Sequence, residues 1–234
     1  MKSVRLHLNR VHSHPRNFPG EFTQKTEKEK FMGHLRSRIT LAAALLAFLA
    51  PITPAATTTW QIDPAHTAAG FSVKHLMIST VRGQFKGVTG TINWDDQDIS
   101  KSTIDVTIDA NTVDTSEPKR DADLKSPNFF DVAKYPTITF KSKKVEPISA
   151  GKLKVTGDLT IHGVTKEVVL DVEGPSAQVK DPWGNTRVAA NATTKINRLD
   201  YGVKWNATLD GGGVVVSDEV SITIDLEMIK KGAK

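Results

Sequence analysis

The sequence predicts an all-β protein, an antiparallel barrel of eight or nine strands carrying one or two short helices, and three observations lead there. From Thr57 onward, apolar residues recur at every second position far more often than at every third or fourth, the period of a strand with one buried face. Several of these runs exceed the usual length of about five or six residues. The glycines at 83, 87, 90 and 157 fall within the runs, where a tightly curved sheet needs positions without side chains.

The elements follow in order. Thr58-Thr59-Trp60-Gln61-Ile62 alternates and stops at Asp63-Pro64, a turn pair. Phe71, Val73 and His75 share one face of the next run, with Ser72 and Lys74 opposite. Val81 to Trp94 reads as one long strand whose phase shifts beside Gly87 and Gly90, the mark of a bulge or bend. Thr103 to Asp109 sets Ile104, Val106 and Ile108 against Thr and Asp, a strand with one wet face.

The period then changes. A short helix opens around Arg120 and must stop at Pro127, because the residue before a proline is pushed out of the helical region. Phe129-Phe130 follow and stand just ahead of the strand Thr137-Ile138-Thr139-Phe140, so this stretch is a plug or a lid at the entrance to a sheet. Leu153, Val155, Gly157, Leu159 and Ile161 continue the alternation. Val164 to Val179 and Arg187 to Ile196 are separated by the turn Asp181-Pro182-Trp183-Gly184-Asn185. Ile222, Ile224, Leu226 and Met228 close the chain.

The inward positions are overwhelmingly apolar: Phe71, Val73, Phe85, Ile108, Phe140, Leu159, Ile161 and Ile224. Walls of this kind either meet in a packed core or enclose an apolar tube, since a barrel of eight strands has room for side chains or for one ligand. Periodicity does not separate the two.

The first quarter of the chain has a different character. Ile39 to Ala50 is an apolar run with a single Thr, preceded by His34, Arg36 and Arg38 and followed by Thr53-Pro54-Ala55, the pattern of a signal peptide. It falls short of the ~20 apolar residues that span a bilayer. The expected organisation is 1–31 as an over-called leader or an extended n-region, 32–55 as the signal peptide with Met32 as initiator, and 56–234 as the barrel domain. Cleavage near Ala55/Ala56 implies a periplasmic or secreted protein.

Residues 1–55 hold 9 of the 31 Lys+Arg and 3 of the 26 Asp+Glu, leaving 22 basic and 23 acidic residues in the rest. The basic balance belongs to the leader, and the body offers no electrostatic footprint for nucleic acid. Cysteine is absent, which agrees with export and means that no disulfide supports the fold.

Candidate chemistry is sparse. His66, His75 and His162 show no metal-ligand spacing; His66 and His162 read as turn residues and His75 as a core histidine. Asp95, Asp96 and Asp98 read more simply as an acidic turn than as a calcium site. Gly211-Gly212-Gly213 precedes a strand, so it is a turn and not a phosphate loop. With no G-x-S-x-G elbow and carboxylates on wet faces, an enzyme is the minority reading. Arg120 is either a solvated helix arginine or a cation at a barrel mouth closed by aromatics.

Five separated motifs resemble the YceI-like family of secreted polyisoprenoid-binding proteins: Phe71 to Leu76; Gly83-Gln84-Phe85; Arg120 to Leu124 with Phe129 to Val132 and Tyr135-Pro136; Leu159 to Lys166; and Ile196 to Asn206. The resemblance extends over essentially the whole chain from Trp60 to Met228. The resemblance implies a lipocalin-like, eight-stranded antiparallel barrel whose apolar tunnel holds an amphiphile such as a polyprenyl chain, and it selects tube over packed core.

The ligand contacts it leads us to expect are Phe71, Val73, Phe85, Ile108, Phe140, Leu159 and Ile161 on the walls, with Phe129 and Phe130 near the lid. Arg120, with His75 or Asn197, is the expected head-group site, because a guanidinium suits a phosphate fork; Trp205 comes from the last motif. No cofactor is expected beyond the lipid, a polyisoprenoid, or alternatively a quinone or fatty amide. The expected partners are that lipid, a second copy of the chain in a homodimer and, transiently, a membrane.

Overall fold

The computed structural model describes residues 57–232. The expected leader, signal peptide and cleavage point lie outside the described residues.

Twelve strands form one antiparallel sheet: β1 Thr57–Ile62, β2 Ala68–His75, β3 Ser79–Phe85, β4 Val88–Asp95, β5 Thr103–Asp109, β6 Val113–Asp114, β7 Thr137–Ser149, β8 Lys152–Ile161, β9 Val164–Glu173, β10 Val179–Lys180, β11 Thr186–Asn197 and β12 Glu219–Lys230. One α-helix, α1, spans Pro118–Lys125. Eight of the strands close on themselves in the order β11, β9, β8, β7, β5, β4, β1, β12, because β12 pairs back along β11 from Asn197↔Glu219 to Arg187↔Ile229. The structure is the antiparallel eight-stranded barrel that the alternation predicts.

The edge of β12 opposite β11 is shared. Its C-terminal end, Met228 to Lys230, pairs with β1, and its N-terminal part, Ser221 to Asp225, pairs with β2. β2, β3 and β6 therefore continue the wall as a flap at one end of the barrel.

The single long strand expected over Val81 to Trp94 is instead two strands broken at Lys86-Gly87. The phase shift marks the end of one strand and the start of the next. Gly87 is pinned there, donating its N–H to Thr112 Oγ1 at 3.0 Å and accepting from Asp109 N at 2.9 Å. A side chain at Gly87 would meet the Cβ of Asp109 at 2.9 Å, which explains the glycine at the break.

His162 and Gly163 make the two-residue turn between β8 and β9, both with positive φ (51° and 75°), the conformation that a tight hairpin requires. Tyr135 lies over this turn, its ring 4.5 Å from that of His162, and a Cβ on Gly163 would come within 2.5 Å of it. The acidic turn after β4 is capped by its own side chain: Asp95 Oδ1 accepts from the N–H of Gln97 and of Asp98 at 2.9 and 2.8 Å.

The buried apolar residues of the interior include Trp60, Val88, Val145, Leu153 and Val155. At one end a second polar cluster fastens the barrel: Arg187 holds Asp63 at 2.5 Å, Glu227 at 2.6 Å and Asp181 at 2.7 Å.

Candidate functional site

The barrel is hollow. A cavity of about 190 Å³ runs through it. Its walls come from β1 to β5, β7 to β9, β11 and β12, at the spacing of two that a pleated strand imposes: Ile104, Val106 and Ile108 on β5, and Val220, Ile222, Ile224 and Leu226 on β12. The space exists because β11 contributes small residues, with Ala190, Ala192 and Thr194 where larger side chains would meet the opposite wall. Ile222, Ile224 and Leu226 point inward yet are only half-buried, because they face this open space.

A second cavity of about 110 Å³ abuts the first and shares Ile92, Ile104, Val155, Val172, Ala190 and Leu226 with it. Trp60 and Trp94 line this part, and Asp96, Ser102, Ser176 and Gln178 give it a polar rim. The two cavities lie end to end as an elongated apolar tube with these six side chains at the neck.

The other end is closed by the segment after α1. Glu117 caps the helix by accepting from Lys119 N, Pro118 stands in the first turn where its missing N–H costs nothing, and the helix ends at Ser126 ahead of Pro127. The chain then folds back, Phe130 N donating to Leu124 O at 2.9 Å and Asp131 N to Ser126 O at 2.9 Å. This turn sends the neighbouring rings in different directions. Phe130 enters the tube and meets Phe85 edge to face at 5.4 Å. Phe129 is buried against Trp205 at 5.3 Å and does not line the cavity.

Of the expected contacts, Phe85, Ile108, Phe130, Phe140, Leu159 and Ile161 do line the cavity. The others lie elsewhere. Phe71 packs on Phe85 at 5.7 Å and over Gly83 across the β2–β3 ladder, buttressing a wall residue; Val73 follows it toward the strand end. His75 is half-buried at the end of β2, bridged to Val216. Asn197 is exposed and caps the turn after β11, accepting from Leu199 N at 2.9 Å. Trp205 is 39 % exposed behind Phe129.

Arg120 does not stand at the cavity. Its Nε donates to Thr115 Oγ1 at 2.8 Å and its Nη2 to Thr115 O at 2.9 Å, while Thr115 donates its N–H and hydroxyl to Asp121 Oδ1. The guanidinium ties α1 to the end of β6, a role that sequence spacing does not reveal because both partners of Thr115 sit on the helix.

Arg198 and Tyr201 are lining residues that the strand alternation does not mark. They lie on the 3-10 turn Arg198–Tyr201 after β11 and both line the cavity, with Asn191 and Thr194 as the other polar side chains there. Arg198 is buried and donates from Nε to Ser217 O (2.9 Å), from Nη1 to Val203 O (2.7 Å) and Trp205 O (2.9 Å), and from Nη2 to Val216 O (3.2 Å). It holds the loop from Val203 to Ser217 against the barrel end; burial lowers its pKa, and Asp218, 3.7 Å away, acts in the other direction. Tyr201 is 2 % exposed and burial raises its phenol to about 12. The signal in the sequence is an arginine three residues before a tyrosine that a glycine follows, Arg198, Tyr201 and Gly202, within the motif Ile196 to Asn206.

Asp63, His66 and Glu227 bring three possible ligand atoms together, but Arg187 already occupies the carboxylates of Asp63 and Glu227, so the cluster is an ion-pair network.

The family model described as the YceI-like domain matches residues 60–228. A UPF0312 protein of Vibrio parahaemolyticus is 38% identical over 167 residues, 71% of this chain and 84% of that one. Among solved structures, a YceI protein of Campylobacter jejuni superposes with a TM-score of 0.57 at 36% identity, covering 68% of this chain and 90% of that chain. A polyisoprenoid-binding domain from Saccharophagus degradans shares the fold at a TM-score of 0.52 and 17% identity, over 74% of this chain and 98% of that chain.

Proposed function

The chain belongs to the YceI-like family, and on that premise we propose that its barrel holds an isoprenoid lipid in the apolar tube, for carriage or storage in the cell envelope. The observation that carries this reading is the tube itself, two abutting cavities walled by aliphatic and aromatic side chains. Moving a methylene from water to such a wall is worth about 0.8 kcal/mol, so a long unbranched or methyl-branched chain is held by burial alone.

The reading is a binding protein and not an enzyme. What supports it is the apolar character of the larger cavity, whose walls are aliphatic and aromatic with only Asn191, Thr194, Arg198 and Tyr201 as polar lining residues. The lipid serves as ligand, and no further cofactor enters the proposal. A second copy of the chain and transient contact with a membrane remain part of it as partners, and the periplasm or the exterior as its location, on the strength of the segment 32–55.

The test is native mass spectrometry of the protein produced from its full chain and purified without detergent, followed by organic extraction. A stoichiometric isoprenoid species is the expected result. An extracted fatty amide would keep the carrier and replace the cargo. A ligand-free mass with no uptake of added polyprenols would refute the proposal.

A further inference from the structure

We infer that the ligand lies in the tube in one direction, its polar end in the smaller cavity beside Asp96 and Gln178 and its tail in the larger one, and that the polar end is an uncharged hydrogen-bond donor such as a hydroxyl. The inference rests on the carrier reading and adds to it the orientation of the cargo and the chemistry of its head.

The two halves of the tube are chemically unlike. The larger cavity offers a ligand an apolar surface: Arg198 is bonded to the carbonyls of Val203, Trp205, Val216 and Ser217, Asn191 is bonded to Asp225, and the Tyr201 hydroxyl is sealed away from the open space. A polar group placed there without a partner would bear its full desolvation cost, so an amphiphile keeps only its tail in this part. The smaller cavity differs. Asp96, Ser102, Ser176 and Gln178 belong to its lining, and Asp96, Ser176 and Gln178 are exposed, so its mouth meets both water and ligand. Both sides of that mouth are pinned. Ser176 donates its N–H to Ala189 O at 2.8 Å and accepts from Ala189 N at 3.0 Å, which fixes the segment before β10 against β11; Asp95 N donates to Ser102 Oγ at 3.0 Å, which fixes the acidic turn.

The lining of the smaller cavity also selects the head. Asp96 is its one charged side chain among the described residues, and no cation accompanies it there. The Thr58 hydroxyl donates to Asp96 Oδ2 at 3.1 Å, while Lys101 in the same turn is paired with Asp98 at 3.2 Å. Lys230, whose Nζ stands 5.9 Å from the centre of the Trp60 ring, is outside the lining. A phosphate or carboxylate brought here would lose water and face a like charge. A hydroxyl meets the opposite situation: it donates to a carboxylate, a stronger bond than one between neutral groups, and accepts from the amide of Gln178. Trp60 and Trp94 add apolar walls in the same cavity for the first carbons behind the head.

The experiment compares the wild-type protein with Asp96→Ala, an exposed position where the substitution leaves the core intact. The probes share one chain length: a free polyprenol, the hydrocarbon lacking its hydroxyl, and the polyprenyl phosphate. The expected result is a wild-type preference for the prenol over both others and a roughly tenfold loss of prenol affinity in the variant, with hydrocarbon affinity unchanged. In the wild type, intermolecular NOEs should join the carbinol methylene of the prenol to the methyls of Leu153 and Met228, which line only the smaller cavity, and its terminal methyls to Ile108 and Ile138, which line only the larger one. NOEs in the reverse order overturn the orientation. Equal prenol affinity of the two proteins, or an equal loss for prenol and hydrocarbon, overturns the Asp96 contact, and tighter wild-type binding of the phosphate than of the prenol overturns the uncharged head; each of these leaves the carrier standing. A wild-type protein that takes up none of the three overturns the carrier reading and this inference with it.

Discussion

Arg187 shows how one side chain couples distant segments. It joins Asp63 after β1, Asp181 in the turn after β10 and Glu227 on β12, and each partner carboxylate lies at or near the barrel end. The guanidinium, then His66, hold the Asp63 carboxyl at about 2 instead of 3.8. Burial would raise Asp181, but Arg187 and Asn185 bring it to about 2 as well. Both groups bind fewer protons folded than unfolded, so their contribution is complete above about pH 4 and is lost as pH falls from there toward 2. Acid unfolding followed by circular dichroism should show this fall in the wild type. In Arg187→Leu the thermal midpoint should drop at neutral pH and the acid transition should move up toward pH 4; an unchanged acid limb would show that the network does not set it.

At the scale of elements, the decisive strand is β11. Its inward residues Ala190, Ala192 and Thr194 are small, and that is what turns a core into a tube. Ala192→Phe places a ring in the cavity. The expected outcome is a folded protein with a thermal midpoint equal to or above that of the ligand-free wild type, and a loss of isoprenoid binding of at least tenfold, about 1.4 kcal/mol. Calorimetry and lipid titration together check it, and undiminished binding would place the ligand elsewhere. The alternation of β5 was legible in sequence down to its end residues, Thr103 and Asp109, because one face is aliphatic and the other carries Thr and Asp. Alternation in β11 was less visible as a functional wall, since Ala and Thr differ too little from their polar neighbours to mark a face. The alternation marks β7 only as far as Phe140, and the strand runs on to Ser149, because Lys141 to Lys144 is wholly polar.

At the scale of the molecule, the tube has two unlike ends. One has the polar rim of Asp96, Ser102, Ser176 and Gln178. The other is covered by Phe130 and the loop that Arg198 holds, and beside that loop the β2–β3 turn exposes Met77 and Ile78, at 54% and 83%. Met77 and Gly213 are near neighbours, so the turn and the loop form one surface. Lipid delivery through this end predicts that Met77→Ser with Ile78→Ser slows transfer of an isoprenoid from vesicles several-fold while equilibrium binding in detergent is unchanged. Stopped-flow transfer measures it, and equal rates would send the lipid out through the polar rim.

The sequence by itself determined the all-β class, the barrel, the helix that stops before Pro127, the family and the apolar character of the interior. These follow from period, turn chemistry and local sterics, which act between residues close in the chain. Only the tertiary structure decided that the barrel is hollow, that Phe130 faces the tube while Phe129 backs onto Trp205, that Arg120 serves Thr115, and that Arg198 and Tyr201 reach the cavity. Those outcomes depend on the volume left between walls far apart in sequence and on which donors are already bonded when the walls meet, and neither quantity is written in the spacing of residues along one strand.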